Sequence, residues 1–508
     1  MIATAGQIAR ELPGAVLHGD GDVEVTGVTH DSREARSGFL FAALEGAKTD
    51  GRRFVDDALA RGASAVLAAE RLGTGVPEIV VSDPRAALGL AAAACYGHPT
   101  RRMGVAAVTG TNGKTTTTYL VESALRAAGL APAVMGTVEY RFGERRWDAA
   151  HTTPEAPVIQ SVAREMAEAG ATHLVMEASS HGLALGRLNG CRFRVAAFTN
   201  LTQDHLDFHR TMERYAAAKM LLFTRAIEGE PDARAVVNAD DPFGREILAL
   251  VRHPSLSVSC DPSSGADIRP LTAPSYSIDG IEARLVTPGG EVTLTSPLLG
   301  EHNLANLVLA LGICIGLGVD AKIAVLGLAR ATHVPGRLER ISNPGGAAVL
   351  IDYAHTPDAL TRALAALRPL TRGRLICVFG CGGDRDPGKR PLMGRAVAQG
   401  ADLAVVTSDN PRTEEKEAIV DMILPGVVGE GLELLDGARL AAATRGHVVE
   451  LDRRAAIRLA IFAARPEDTV LIAGKGHEDY QILGTRKIHF DDREEARAAL
   501  EARGGSHG

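Results

Sequence analysis

Val105-Ala106-Ala107-Val108, running into Thr109-Gly110-Thr111-Asn112-Gly113-Lys114-Thr115-Thr116, is the stretch on which the fold of this chain turns. Four small apolar residues, then two glycines and Lys-Thr-Thr, read as a buried strand, a tight turn and a helix from Lys114 to Ala128. Glycine lets a backbone approach a bound group closely. The N–H groups of the turn and of the helix start point at an anion, and Lys114 adds a full positive charge. Thr115 follows the lysine, where a hydroxyl can reach Mg²⁺. The stretch therefore predicts a phosphate loop for a nucleoside triphosphate. Its spacing is shorter than the commonest such loop: the leading glycine would fall at Val108, and Gly110 stands two residues later.

Outward from the loop the same rhythm continues. His173-Leu174-Val175-Met176-Glu177 and Val195-Ala196-Ala197-Phe198-Thr199 are apolar runs that end in polar residues. Runs buried on both faces and separated by helices imply a parallel α/β sheet. Residues 253–295 are rich in Ser, Pro and Gly and predict a β insertion, after which the helix Asn303 to Leu317 closes the domain. Upstream, Gly38 to Leu44 and Ala65 to Ala68 read as strands, and Phe54 to Arg61 and Pro84 to Tyr96 as helices; His98-Pro99-Thr100 marks a boundary. A second boundary falls at Val334-Pro335-Gly336. Beyond it Val349 to Asp352, Leu375 to Phe379, Leu403 to Thr407 and Val470 to Ala473 predict another α/β unit. The expected division is three α/β domains, 1–99, 100–334 and 335–508, in line with roughly 150 residues per domain.

Composition narrows the function. A chain of 508 residues with 45% hydrophobic and 23% charged residues can bury several cores. A net charge of −7 and 4% aromatics argue against nucleic-acid binding. Six cysteines are too few for a disulfide scaffold, and Cys377 with Cys381 lacks the second pair of a zinc site. Met1 to Ala5 does not read as a secretory signal, and the longest apolar run, Leu307 to Val319, is shorter than the about 18 residues of a membrane span. A cytoplasmic, monomeric protein with no membrane insertion is expected.

Three further groups of residues carry chemistry. Glu177, at a strand end before Ala178-Ser179-Ser180-His181-Gly182, and His205, in Asn200-Leu201-Thr202-Gln203-Asp204-His205-Leu206-Asp207, are candidate Mg²⁺ ligands beside the phosphates. Lys219, within Tyr215 to Phe223, reads by itself as a lysine that snorkels to the surface. Gly380-Cys381-Gly382-Gly383-Asp384-Arg385, Asp409-Asn410-Pro411-Arg412 and Gly474-Lys475-Gly476-His477-Glu478 each follow a strand. Arg385 stands where a dinucleotide fingerprint needs glycine, so a Rossmann cofactor is not expected. Two arginines with Asp409 and Glu478 at one sheet edge suit a zwitterion.

Taken in order, these motifs resemble the Mur ligase family over nearly the whole chain. The further landmarks are Asp31-Ser32-Arg33, His302-Asn303, Pro335-Gly336-Arg337-Leu338-Glu339 and Asp352-Tyr353-Ala354-His355-Thr356-Pro357-Asp358. The resemblance implies a small N-terminal UDP-binding domain, a central ATPase domain and a C-terminal Rossmann-like domain for an amino acid. It implies that Gly110, Thr111, Asn112, Gly113, Lys114, Thr115, Thr116 and Thr117 hold ATP phosphates, and that Asn303, Arg337 and Asp352 meet its nucleoside. Thr115, Glu177, His205 and Lys219 are then the Mg²⁺ ligands, Lys219 as a carbamate, with Lys114, Lys219 and His205 counted as catalytic. Ser32, Thr152, Thr153, Ser179 and Arg187 match positions that bind the nucleotide sugar, whereas His151 and Leu185 depart from the usual asparagine and glutamine.

Asp409-Asn410-Pro411-Arg412 resembles the tetrapeptide of family members that add meso-diaminopimelate. That amino acid differs from lysine by a distal carboxylate, which a guanidinium can grip in bidentate fashion. Arg385, Gly474 and Glu478 match the remaining positions. The implied substrates are ATP, UDP-N-acetylmuramoyl-dipeptide and diaminopimelate. The implied reaction is amide formation at the D-glutamate γ-carboxylate through an acyl phosphate, with Mg²⁺ as cofactor. A lysine-adding or folylpolyglutamate-type ligase, and a phosphate-loop switch that hydrolyses ATP, are the rival readings.

Overall fold

The computed structural model describes residues 3–45, 50–149, 151–277, 280–331, 334 and 336–504. Met1 and Ile2 of the N-terminal stretch, and Pro335 of the expected boundary and landmark, lie outside these residues. The quoted stretch forms strand β1 (Gly104–Thr109) and helix α1 (Lys114–Ala127). With β2 (Pro132–Met135), β3 (Tyr140–Phe142), β4 (Arg145–Trp147), β5 (His173–Glu177), β6 (Val195–Phe198), β7 (Arg234–Asn238) and β8 (Ser255–Val258), β1 builds an eight-stranded sheet. Its order is β4-β3-β2-β5-β1-β6-β7-β8. Six neighbouring strands are parallel, and β3 and β4 return antiparallel. The register sets Glu177 beside Val108 and Phe198 beside Thr109, so the turns after β1, β5 and β6 open at one edge.

Two expectations in this region are corrected. The first strand of the expected β insertion, β8, joins the main sheet in parallel. It is an edge strand with one face solvated, so its alternation of buried Leu256 and Val258 mimics a meander. The remainder, Arg269–Pro270, Ser275–Ser277, Gly280–Thr287 and Gly290–Ser296, forms a separate antiparallel sheet. Nor does the helix at Asn303, α4 (Glu301–Gly316), close the domain: Ala321–Arg330 follows. Gly327 on that helix leaves no room for a Cβ against Ala124 of α1, and its carbonyl accepts from Ser123 Oγ at 2.7 Å.

Upstream lies a five-stranded sheet in the order Val16–His18, Glu78–Val80, Ala65–Ala68, Phe39–Ala42, Gly27–Thr29, with Pro84–Cys95 against it. The expected boundary at His98-Pro99-Thr100 is a 3-10 turn with Pro99 and Thr100 buried. The third sheet contains β9 (Glu339–Ile341), β10 (Ala348–Asp352), β11 (Leu375–Phe379), β12 (Leu403–Val406), β13 (Gly446–Val449) and β14 (Thr469–Ala473) in the order β9-β10-β14-β11-β12-β13. All but β9 are parallel. The loops after Asp352, Phe379, Val406 and Ala473 therefore share an edge. Apolar clusters pack on both faces of this sheet. The chain forms two compact units. Unit 1 comprises Met1–Ala273, Ala283–Leu294 and Ala305–Arg330, and unit 2 comprises Pro274–Glu282, Thr295–Leu304 and Ala331–Gly508. No helix among the described residues is long and apolar enough to cross a membrane.

Candidate active site

In unit 1 the phosphate loop is held by the segment after β6. Thr111 N–H donates to Asn200 O at 2.8 Å and Asn112 N–H to Asn200 Oδ1 at 3.0 Å, while Thr199 Oγ1 donates to Asn112 O at 2.6 Å. Gly110 (φ +143°) and Gly113 (φ +87°) sit where an L side chain is strained, and a Cβ on either would collide with Thr199 or Asn306. Gly113 stands at the N-cap of α1, and having no side chain it makes no cap bond of its own to the first turn. Lys114 Nζ folds over the loop onto Gly110 O (3.0 Å) and Thr111 O (2.8 Å). Thr116 and Thr117 are buried in the first turn. Asn200 was legible only as a landmark, and Asn306, one turn beyond Asn303 on α4, carried no local signal.

Glu177 is 1% exposed. Its Oε1 accepts from Thr115 Oγ1 at 3.0 Å and Thr137 N–H at 2.8 Å, and its Oε2 from Thr137 Oγ1 at 3.0 Å. Lys219 corrects the surface reading: on α3 (Met212–Leu221) it lies on the inward face with Tyr215 and Ala218, and is 1% exposed. Its Nζ donates to Gly110 O at 2.7 Å and lies 4.3 Å from the Tyr215 ring centre. Tyr215 OH in turn meets Thr111 Oγ1 at 3.1 Å. Both Lys114 and Lys219 thus reach one carbonyl. Burial, and then the Lys114 charge, push the Lys219 amine well below its ordinary basicity. That shift favours the uncharged amine, the form that adds CO₂, and so accords with the carbamate expected at Lys219. Beside such a carbamate, Thr115 and Glu177 would offer hard oxygen donors of the kind Mg²⁺ prefers. His205, at φ +54°, is half-exposed and stands edge-on to His181 with ring centres 4.9 Å apart. Among the described residues no group of three or more His, Cys, Asp or Glu side chains is gathered as a metal site.

The nucleotide-sugar candidates divide into two places. Thr153 Oγ1 donates to Glu177 O (2.8 Å) and accepts from Ser179 N–H (2.9 Å), and Thr152 Oγ1 meets Thr137 Oγ1 at 3.1 Å. Ser179 caps α2 (Ser180–Ala184) through Gly182 N–H. Arg187 donates to Thr153 O at 2.9 Å and stands 2.9 Å from Glu155, which also takes Arg85 at 3.1 Å. Glu155 and Arg85, which sequence reasoning passed over, link these residues to the helix Pro84–Cys95. Ser32 is buried at the start of a short turn capped by Asp31, whose carboxylate is gripped by Arg33 and held at about 2. His151 is exposed, its carbonyl accepting from Tyr140 OH at 2.5 Å. Leu185 caps the end of α2, half-buried.

In unit 2 the three polar loops converge as expected. A Cβ on Gly382 would lie 3.1 Å from Arg412 Nη1 and 3.7 Å from Arg385 Cγ, so the Arg412 guanidinium and the Arg385 stem flank one point. Arg412 (φ +53°) donates to Gly383 O at 2.7 Å. Asn410 Nδ2 donates to Glu478 Oε2 at 3.0 Å, and Pro411 is buried beside them. Gly474 (φ +120°) would place a Cβ 3.8 Å from Asp409. Burial, helped by the Asp409 charge, holds the Glu478 carboxyl above the ordinary range. Asp409 is already met by the buried Lys475 at 3.2 Å, a partner the sequence reading did not weigh. Asp352 accepts from Leu338 N–H (2.7 Å) and Ala354 N–H (2.8 Å). Arg337 lies 4.9 Å from the Tyr353 ring centre, with its Nε buried and, among the described residues, without a hydrogen-bond partner. Asn303 Nδ2 donates to Leu299 O at 2.8 Å.

A glycine-rich turn that leads from a parallel strand into a helix, with two lysines on one of its carbonyls, is the frame of an α/β nucleotide-phosphate-binding protein. Residues 108–314 match the Mur ligase middle domain, 336–476 the Mur ligase glutamate ligase domain, and 24–96 the Mur ligase family catalytic domain. The chain belongs to the Mur ligase family. A Gloeobacter violaceus protein named UDP-N-acetylmuramoyl-L-alanyl-D-glutamate–2,6-diaminopimelate ligase is 48% identical, the match covering 99% of this chain and 98% of that one. A Geobacter metallireducens protein of the same name is 46% identical, covering 97% of each. A solved structure of an enzyme of that name is similar with a TM-score of 0.72 at 34% identity, covering 99% of this chain and 100% of the other.

Proposed function

We propose that the chain is an ATP-dependent ligase that adds meso-diaminopimelate to the D-glutamate γ-carboxylate of UDP-N-acetylmuramoyl-L-alanyl-D-glutamate, a step in peptidoglycan precursor synthesis. The observation that carries it is the similarity over the whole length to relatives bearing that name. The γ-carboxylate takes the terminal phosphoryl group of ATP, and ADP leaves. The free amine of diaminopimelate attacks the acyl phosphate, the tetrahedral adduct loses phosphate and a proton, and the amide remains. Lys114 and the N–H groups at the start of α1 hold the phosphates and stabilise the charge that develops there. Mg²⁺ held by Thr115, Glu177, His205 and carbamylated Lys219 supplies further charge neutralisation when bound.

Residues 1–99 take the UDP end of the acceptor through Ser32, and Thr152, Thr153, Ser179 and Arg187 hold its remainder. Asn303, Arg337 and Asp352 take the ATP nucleoside. Arg412 and Arg385 grip the distal carboxylate of diaminopimelate, Glu478 its distal ammonium, and Asp409, Asn410, Pro411 and Gly474 shape the pocket. The work is cytoplasmic, where ATP is supplied; the six free cysteines accord with a reducing compartment. The test is phosphate release and product mass with the nucleotide-sugar dipeptide, ATP, Mg²⁺ and a panel of diamino acids. Turnover with diaminopimelate and little with lysine is expected; equal turnover sinks the specificity.

A further inference from the structure

The amino-acid pocket of unit 2 contains a cation that no role above uses. The Lys475 side chain is 0% exposed. Its Nζ stands 3.2 Å from Asp409 Oδ1 and 3.9 Å from Glu478 Oε2, and it donates to Asn410 Oδ1 at 3.0 Å and to Tyr480 O at 2.7 Å. Asn410 has its own orientation fixed by this bond: Oδ1 faces Lys475 and Ile482 N–H, which turns Nδ2 to Glu478. One buried ammonium therefore touches or aims three side chains of the pocket. Dry surroundings tolerate such a charge only beside a carboxylate.

The two carboxylates are left in different states. Burial pushes Asp409 up, but Lys475, with Arg453 behind it, more than offsets this and holds it below the ordinary range. Glu478, farther from the ammonium, stays above it. Arg453 is itself matched by Asp492 and drops out of the count. Counting the ionisable side chains of the candidate amino-acid site together with Lys475, Arg385, Arg412 and Lys475 stand against Asp409 and Glu478: one positive charge in excess. Diaminopimelate with its attacking amine deprotonated carries two carboxylates and one ammonium, one negative charge in excess. Lysine in the same state is neutral.

We propose that Lys475 is a specificity-determining positioning residue: by cancelling Asp409 and aiming Asn410, it leaves Glu478 as the single carboxylate for an ammonium and tips the pocket toward a diamino acid bearing a distal carboxylate. This rests on the ligase reading above. Without Lys475 the pocket has two carboxylates against two guanidiniums and loses its bias against lysine.

The experiment measures kcat and KM for diaminopimelate and lysine in the full-length enzyme and two variants. Lys475→Met raises KM for diaminopimelate about tenfold or more, leaves KM for ATP in place, and lowers the diaminopimelate-to-lysine ratio of kcat/KM by a similar factor. Lys475→Met combined with Asp409→Asn restores the charge balance and brings the ratio back. A Lys475→Met enzyme that keeps the wild-type ratio overturns the proposal. If that variant does not fold, the double variant decides: retained preference supports charge setting, and lost preference overturns it. Wild-type enzyme that uses neither amino acid overturns the ligase reading itself.

Discussion

At the residue scale, Lys114 and Lys219 meet the same Gly110 carbonyl from unlike surroundings. Lys114 sits on the first turn of α1 with its Nζ on Gly110 O; in the proposed reaction it turns to the phosphates of ATP. Lys219 is enclosed, and its amine is depressed by burial and by Lys114. Lys114→Ala removes a charge aimed at developing negative charge. Its kcat/KM is expected to fall by roughly 10²–10³, the magnitude seen when a single stabilising donor is lost, with the unfolding midpoint unchanged. Steady-state kinetics beside a urea titration checks this. The motif around Lys114 was legible because glycine, lysine and threonine act there through local geometry. Lys219 was not: what buries it is a carbonyl 109 residues earlier in the chain.

At the scale of elements, parallel strands were the most legible part of the fold. β11 is buried along its length and β5 from Leu174 onward, and both carry apolar runs. Short or polar strands escaped, such as β4 with its exposed arginines and the hairpin Tyr480–Leu483 with Arg486–His489. The helices Arg453–Ala463 and Asp492–Gly504, α5 and α6 here, are tied by an ion pair with both side chains 0% exposed: Arg453 Nη2 lies 2.6 Å from Asp492 Oδ2 and Nε 2.8 Å from Oδ1. Asp492→Ala leaves that guanidinium buried and unmatched. A loss of about 3–5 kcal/mol in unfolding free energy is expected, read from chemical denaturation of the whole chain.

At the scale of the whole molecule, unit 2 carries a pH dependence. Burial, and then nearby arginines, hold His302 and His477 at about 4, against an ordinary 6.5. Between 6.5 and 4 the unfolded chain binds protons that the folded chain refuses. Stability from these two groups is therefore fully present above pH 6.5 and is lost as pH falls toward 4. The urea midpoint should decline across that window, and His302→Gln should shallow the decline; an unchanged slope would count against it.

By itself the sequence determined the phosphate loop, the parallel α/β sheets and the family. These depend on local spacing and on apolar runs that carry their own evidence of burial. Tertiary structure alone decided the fate of charges. It buried Lys219, matched Lys475 to Asp409, and ran Arg187 through Glu155 to Arg85. Whether a lysine is a solvated cation, a neutral amine or a buried counter-ion depends on the water taken from it and on the partners brought to it. Both are set by segments far away in the chain.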